Sequence, residues 1–160
     1  MNTYAYPIRP TLAIGVVIKN KGNKILLVQE KHNKHYEKAK GVWGLPAGKL
    51  RWTEPIMEGL KREVREEIGV KVKPIALIGV YQYRRDNSQC LGLAFLAKLK
   101  EGKRIKYDHD EIQDVQWCDI QQVLNSNIKL RTGVKEVLED FIANTTLPLK
   151  NVHFFYLRDT

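Results

Sequence analysis

The chain contains little cysteine and no long apolar run. Its 160 residues include only two cysteines, Cys90 and Cys118, which form no C-x-x-C pair, and we interpret them as buried thiols in a reducing compartment. No N-terminal apolar segment resembles a signal peptide, and the longest apolar runs are far too short to cross a bilayer. We therefore expect a cytoplasmic protein without a membrane partner.

Internal repeats, low-complexity tracts and domain linkers are also absent from the sequence. A length of 160 residues suffices for one well-buried core and is too short for two typical domains. Apolar residues make up 43% of the chain and charged residues 28%, as in ordinary globular proteins. We expect one domain over 1–160, with its core at about 10–145.

Acidic residues are scarce relative to basic ones. The chain has 18 Asp and Glu residues and 27 Lys and Arg residues, which gives a net charge of +9. This balance favours anionic partners, namely nucleotides, other phosphate esters or nucleic acid, although a merely solubilising surface is the alternative. For the basic run 98–106 we prefer that alternative and expect a hairpin turn around Gly102. For the loop that holds His32 and His35, both interpretations remain open.

Segments of β-type and helical pattern alternate along the chain. Helical periodicity is clearest over 54–68, where the apolar residues Met57, Leu60, Val64 and Ile68 form one stripe. A second amphipathic helix is predicted over 132–145. Strands are predicted over 11–20, 24–30, 42–47, 70–84 and 90–99, and within 112–120. The pattern indicates a mixed α/β domain with a curved sheet and few helices.

Three acids crowd the first helix although the chain as a whole is basic. Glu63, Glu66 and Glu67 span an arc of roughly 100° beside the apolar stripe. Carboxylates at this spacing can converge on a divalent cation, which relieves their mutual repulsion. The alternative is a solvated face with Glu58–Arg62 and Arg62–Glu66 pairs.

The stretch "GLPAGKL" (44–50) precedes this helix and has almost no side-chain bulk. Such a loop lets backbone groups approach a ligand or metal closely. Loop and helix together match the pattern G-x5-E-x7-R-E-U-x-E-E-x-G-U, in which U is aliphatic, at every defined position from Gly48 to Val70. On these residues the chain resembles the Nudix hydrolase superfamily.

The resemblance implies a fold and a set of residue roles. The fold is an α/β/α sandwich around a mixed sheet, with the motif as loop–helix–loop. Glu63, Glu66 and Glu67 match the positions that hold catalytic Mg²⁺ or Mn²⁺, and Gly48 matches a loop carbonyl that joins them. Glu54 and Arg62 match the salt bridge that ties the loop to the helix.

The implied chemistry is hydrolysis of a diphosphate linkage, with Glu63 as the first candidate for the general base and Glu66 the next. The substrate class stays open among nucleoside triphosphates, ADP-ribose, nucleotide sugars, dinucleoside polyphosphates and capped RNA. A weaker similarity points to bacterial phosphatases of thiamine pyrophosphate and its pyrimidine precursor. The candidate substrate contacts are aromatic or basic: Trp43, Tyr81, Arg51 and Arg84.

Glu111 is a further candidate outside the motif. Nudix enzymes often add a carboxylate from a loop across the cleft, and Glu111 lies six positions before Trp117 in the polar stretch 107–117. It is expected to act as a metal ligand or as the general base. The alternative is that the acids of this stretch only solvate a loop.

Two other functional classes remain open. Some Nudix domains sense a nucleotide without turnover, but these usually lose acids of the motif, and here every one is present. An RNA-binding or decapping protein is compatible with the positive charge and would group basic and aromatic residues beside the cleft. We favour a small diphosphate as the partner over nucleic acid, and a homodimer is possible.

Overall fold

The computed structural model describes residues 10–31, 41–85, 88–100 and 104–153. In these ranges the α-helices are α1 (Ile56–Ile68), α2 (Ile120–Asn125) and α3 (Val134–Ile142), and a short 3-10 helix spans Leu149–Asn151. The strands are β1 (Thr11–Lys19), β2 (Ile25–Glu30), β3 (Trp43–Gly44), β4 (Ala47–Lys49), β5 (Val72–Arg85), β6 (Ser88–Leu99), β7 (Ile112–Cys118) and β8 (Leu147–Pro148). The predicted His32/His35 loop and the turn around Gly102 lie outside the described residues.

The strands form one mixed sheet. Its main order is β3-β2-β1-β6-β5-β8, and β4 adds to β1 while β7 adds to β2. Strands β1 and β6 run parallel over their whole contact, whereas the other strand pairs are antiparallel. The central position of β1 places β4, and with it the loop before α1, at the middle of the sheet.

Helices cover both faces of the sheet. Successive strand residues point to opposite sides, so each strand contributes to two separate cores. Val16 and Leu26 pack in the core beneath α1, while their neighbours Val17 and Leu27 pack in a second core beneath α2 and α3. Val64 of α1 is fully buried in the first core. The predicted α+β sandwich with a mixed sheet is confirmed.

The helix boundaries differ from the prediction at α1 and at α3, which spans Val134–Ile142 rather than 132–145. Helix α1 begins at Ile56 rather than at residue 54, because Pro55 is held in an extended conformation before the first turn. Helix α2 was not predicted; Asp119 caps it by accepting a hydrogen bond from the Gln122 N–H at 3.0 Å. Its six residues are too few for periodicity to reveal it.

The strand predicted over 42–47 is two short strands, β3 and β4. Pro46 lies between them, and its carbonyl accepts a hydrogen bond from the Val16 N–H at 2.9 Å. The two cysteines, Cys90 and Cys118, are free but only half-buried, so the prediction of buried thiols was wrong in degree. In the described parts of the chain, no helix has the length and apolarity needed to cross a membrane.

Candidate active site

Strand β4 fixes the loop before α1 to the centre of the sheet. Gly48 pairs with Ile14 of β1, and Ala47 pairs with Gly15. Beyond β4, the Leu50 N–H donates to the Leu12 carbonyl at 2.9 Å. Strand β4 is therefore held by hydrogen bonds to β1 on the side opposite α1.

Arg62 joins this loop to the acids of α1. Its Nε and Nη2 contact the two carboxylate oxygens of Glu54, each at 2.7 Å. Its Nη1 contacts Glu63 Oε1 at 2.7 Å and Glu66 Oε2 at 2.8 Å, and Nη2 also donates to the Lys49 carbonyl at 3.1 Å. The guanidinium thus contacts three carboxylates and one loop carbonyl.

The Glu54–Arg62 pair is shielded from water. Both side chains are 14% exposed, and the two parallel contacts have the bidentate form that charged pairs favour. Hydrogen bonds from Arg62 lower the pKa of Glu54 to about 2 against the opposing effect of burial, and the Arg51 backbone N–H adds to the decrease. The pair holds the loop and the helix in one arrangement.

Glu63 lies directly against Gly48. A Cβ atom placed on Gly48 would come within 2.0 Å of Glu63 Oε2, which is far inside van der Waals contact. The close approach requires glycine at this position. The Glu63 carboxylate is therefore in direct contact with the backbone of β4 at Gly48.

Glu67 approaches the same loop one turn later. Its Oε2 accepts a hydrogen bond from the Ala47 N–H at 2.9 Å. Burial raises the pKa of Glu67 to about 7, although the Ala47 N–H and the charge of Arg131 oppose the increase. The neighbouring charges of Glu30 and Glu63 add to it. The ionised carboxylate is thus poorly compensated by its surroundings.

Glu66 is the most exposed of the three acids and contacts arginines rather than the backbone of β4. Its side chain is 50% exposed and contacts Arg51 Nη2 at 3.0 Å as well as Arg62. Within the described ranges, no three His, Cys, Asp or Glu side chains are already arranged to hold a metal ion. The structure brings Glu63 and Glu67 to the loop and leaves Glu66 beside the exposed guanidinium of Arg51.

The other candidate substrate contacts lie outside this carboxylate group. Trp43 packs against the second core, and the Tyr81 hydroxyl donates to Asp140 Oδ2 of α3 at 2.7 Å. Arg84 is exposed near the end of β5. Among the described residues, no hydrogen bond or ion pair joins Trp43, Tyr81 or Arg84 to the acids of α1.

The loop before β7 docks on the last turn of α1. The Lys106 N–H donates to the Ile68 carbonyl at 3.1 Å, and the Asp108 N–H approaches the Glu67 carbonyl at 3.4 Å. Glu111 is exposed in this loop, and its carbonyl accepts a hydrogen bond from the Lys31 N–H at 3.0 Å. The segment that carries Glu111 is therefore attached to the end of α1 that carries Glu67.

Two charged residues at the site, Glu30 and Arg131, were not predicted from the sequence. Arg131 Nη2 lies 2.5 Å from Glu30 Oε1, and the charges of both residues influence Glu67. Glu30 ends β2, and Arg131 precedes α3, far along the chain. No local pattern links them, because only the packing of α3 against the sheet brings them together.

Most of the chain, including these residues, matches the model of a known protein family. The family model of the NUDIX domain matches residues 9–141 of the chain. The chain belongs to the Nudix family. The Nudix fold is also that of a solved hydrolase from Nitrosomonas europaea, which superposes with a TM-score of 0.77 at 26% identity and covers 92% of this chain and 98% of its own.

Curated Nudix relatives differ in how much of their length is matched. An 8-oxo-dGDP phosphatase of Danio rerio is 36% identical over 108 residues, which is 66% of this chain and 31% of that protein. An ADP-ribose pyrophosphatase of Methanocaldococcus jannaschii is 28% identical over 144 residues, which is 89% of this chain and 79% of that protein. The chain spans less than half the length of the first curated relatives that it matches.

Proposed function

We propose that this Nudix protein is an Mg²⁺-dependent hydrolase that cleaves a diphosphate linkage in a nucleoside diphosphate derivative or a related small diphosphate. The observation that carries the proposal is the approach of Glu63 and Glu67 to the backbone of Ala47 and Gly48. Both carboxylates lie beside a loop without side-chain bulk, where a cation and phosphate oxygens can approach the backbone closely.

The donor atoms fit a hard divalent cation. Mg²⁺ prefers oxygen ligands, usually takes few carboxylates and keeps several waters. Glu63 and Glu67 supply carboxylate oxygens, the Gly48 carbonyl is a further candidate, and Glu66 becomes one when it leaves Arg51. A cation beside Glu67 would offset the free-energy cost of burying its charge. Nudix hydrolases generally use divalent metals, and we expect Mn²⁺ to substitute for Mg²⁺.

The residues around this position have distinct roles in the proposal. When bound, the metal supplies charge neutralisation at the phosphate oxygens and lowers the pKa of water. Glu63 is the first candidate for the general base, and Glu66 and Glu111 are the alternatives. Glu54 and Arg62 position the loop relative to the carboxylates, as groups behind a metal site do.

A nucleoside diphosphate derivative is the substrate class that the relatives support. The names of the two relatives refer to 8-oxo-dGDP and to ADP-ribose, and both compounds contain a diphosphate attached to a nucleoside. Arg51 and Arg84 are exposed cations for phosphate contact, and Trp43 and Tyr81 remain candidates for stacking. A thiamine-type diphosphate is the second candidate. A cytoplasmic location, one domain over 1–160 and a homodimer also remain predictions.

The alternative function is a binding module that senses a nucleotide or binds RNA without turnover. The net charge of +9 is the observation that favours it. A binding module needs neither the half-buried, poorly compensated charge of Glu67 nor the close approach of Glu63 to Gly48, so we rank it second.

Substitution of Glu67 by Gln tests the proposed function. Gln keeps the size of the side chain and an acceptor for the Ala47 N–H but removes the charge. We expect turnover to fall at least about a hundredfold, roughly 2.7 kcal/mol of barrier, while the fold stays intact. The measurement is phosphate release from nucleoside and thiamine diphosphates, with Mg²⁺ and with a chelator.

The matched control is Glu58→Gln on the same helix, since the Glu58 side chain is 63% exposed and, in the described part of the chain, pairs only with Lys61 at the surface. We expect it to turn over substrate like the wild type. Near-normal turnover of Glu67→Gln at saturating Mg²⁺ would remove Glu67 from the ligand set. Wild-type protein that releases no phosphate from any of these compounds would leave the binding module as the function.

A further inference from the structure

The backbone at Arg131 is built into the sheet edge beside the proposed site. The Trp43 N–H donates to the Lys129 carbonyl, and the Arg131 N–H donates to the Trp43 carbonyl, both at 2.8 Å. Leu130 forms a parallel bridge with Trp43. The segment 129–131 thus extends the sheet at β3, next to the loop that leads to α1.

The guanidinium of Arg131 lies directly on Gly44. A Cβ atom on Gly44 would come within 2.7 Å of Nη2 and 2.9 Å of Nε. On another side, Nη2 lies 2.5 Å from Glu30 Oε1. The absence of a side chain at residue 44 is what gives the guanidinium this position.

Two donor atoms of this guanidinium lack a hydrogen-bond acceptor among the described residues. Its Nε and Nη2 atoms are buried and, within the part of the chain that the structure describes, have no hydrogen-bond acceptor in suitable geometry. The contact with Glu30 is close enough for an ion pair but does not provide that geometry. Buried donors without acceptors are rare in folded proteins and are costly.

Arg131 is also close to groups on two other elements. Its positive charge opposes the effect of burial on the pKa of Glu67 in α1 and on the pKa of Tyr83 in β5. The Arg131 side chain is 36% exposed, so part of it is accessible from solvent. The guanidinium therefore lies where the proposed metal site, β5 and the start of α3 meet.

We infer that Arg131 binds the diphosphate of the substrate and leaves Glu30 in order to do so. A diphosphate supplies oxygen acceptors that match the two parallel N–H groups of a guanidinium. Glu30 holds the side chain in the absence of substrate and competes with the substrate for it. This inference rests on the proposed function for the chemical class of the ligand, but it concerns a residue outside the Nudix motif.

A purely structural role makes a different prediction. If the Glu30–Arg131 pair only fastened the segment 129–131 to β2, removal of either partner would lower the melting temperature similarly and would leave ligand affinity unchanged. A competing partner makes the two substitutions act in opposite directions on affinity. Affinity rather than stability therefore separates the two roles.

The experiment measures binding of methylenediphosphonate, a diphosphate analogue that is not hydrolysed, in saturating Mg²⁺ by calorimetry. We expect Arg131→Gln to weaken binding at least about tenfold, as loss of a bidentate charge-assisted contact does. Glu30→Gln should strengthen it about threefold or more by removing the competitor. In the Arg131→Gln background, Glu30→Gln should have little effect. The control is Arg104→Gln, which removes an exposed cation and should change affinity less than about twofold.

A second variant reaches the same guanidinium without changing it. Gly44→Ala places a methyl group 2.7 Å from Nη2 and 2.9 Å from Nε, so the side chain has to shift and binding should weaken as in Arg131→Gln. Gly15→Ala is its control, since no atom lies within 4 Å of a Cβ there.

Unchanged affinity in Arg131→Gln overturns the inference, as does wild-type protein that does not bind the analogue. Equal strengthening by Glu30→Gln with and without Arg131 would show that Glu30 acts by general repulsion and not as a competitor. The proposed function is decided separately, by turnover. Wild-type protein that binds the analogue through Arg131 but hydrolyses no diphosphate would refute the function and retain the binding site.

Discussion

Gly48 is the residue at which the sheet and the helix acids meet. Its backbone pairs with Ile14, and its missing side chain leaves the space that the Glu63 carboxylate occupies. Carboxylate oxygens and backbone of one strand come this close only where no Cβ intervenes. The position therefore tests whether the geometry of Glu63, and not only its charge, matters for turnover.

We predict that Gly48→Ala lowers turnover at least about tenfold, roughly 1.4 kcal/mol of barrier, because the new methyl group displaces Glu63 from the loop. The backbone at residue 48 has an ordinary strand conformation, so the fold should be kept. Metal-dependent phosphate release and circular dichroism measure the two effects. Gly15→Ala, on the adjacent strand and in open space, is the matched control. Equal activity of the two variants would contradict the prediction.

At the scale of elements, α1 and the loop before it act as one unit because Arg62 joins them. The bidentate contact with Glu54 spans the turn between β4 and α1, and the same guanidinium reaches Glu63 and Glu66. Loss of either partner breaks the same bidentate contact, so loss of the second partner removes little more.

We predict that Arg62→Ala and Glu54→Ala each weaken metal binding and lower stability, and that the double variant is little worse than either single one. The expected coupling free energy in a double-mutant cycle is about 1–3 kcal/mol. Urea unfolding and Mg²⁺ titration measure the effects. Full additivity would show that the two side chains act independently.

The loop before β7 is the second element joined to α1. Its hydrogen bonds to the Glu67 and Ile68 carbonyls hold it at the end of the helix, but the exposed side chain of Glu111 has no hydrogen bond or ion pair among the described residues. The backbone geometry is compatible both with a catalytic loop acid and with a solvated one.

We predict that Glu111→Gln lowers turnover at least tenfold, roughly 1.4 kcal/mol of barrier, with little change in melting temperature. Asp114→Asn is the control in the same segment, since the Asp114 side chain, among the described residues, bonds only to Val115 and Gln116 beside it, and it should be nearly silent. Wild-type rates for Glu111→Gln across the Mg²⁺ range would confine the catalytic carboxylates to α1.

At the scale of the whole molecule, the acid stability of the fold depends on carboxylates that are paired in the folded state. The pKa of Glu54 is about 2 in the folded protein, against an ordinary value of 4.5. A depressed pKa stabilises the fold above the ordinary value, and this stabilisation is lost as the pH falls from 4.5 through 2.

We predict that wild-type protein is more stable than Glu54→Gln by about 1–3 kcal/mol at pH 6, after allowance for solvent screening. The difference should shrink steadily between pH 4.5 and pH 2. Urea unfolding at a series of pH values measures it. Glu58→Gln, which removes an exposed carboxylate, should differ from wild type by less than about 0.5 kcal/mol throughout. A constant difference for Glu54→Gln would rule out the linkage.

The family and the layered α+β fold could be predicted from the sequence alone. The motif residues from Gly48 to Val70 are contiguous, so their spacing can be read without any knowledge of distant contacts. Local periodicity predicts most of the strands and the helices α1 and α3, because the apolar residues of each element recur on its buried face. The start of α1 was misplaced because Pro55 interrupts the pattern, and α2 was too short to detect.

Only the tertiary structure decided how the acids are used and which distant residues join them. Glu63 and Glu67 face the loop while Glu66 faces Arg51, since side-chain direction depends on the partners that packing supplies. The meeting of Glu30 with Arg131 depends on how β2, β3 and the segment before α3 assemble. Local sequence determines periodicity and motif spacing, whereas contacts between residues distant in the chain arise only when the sheet and its helices pack.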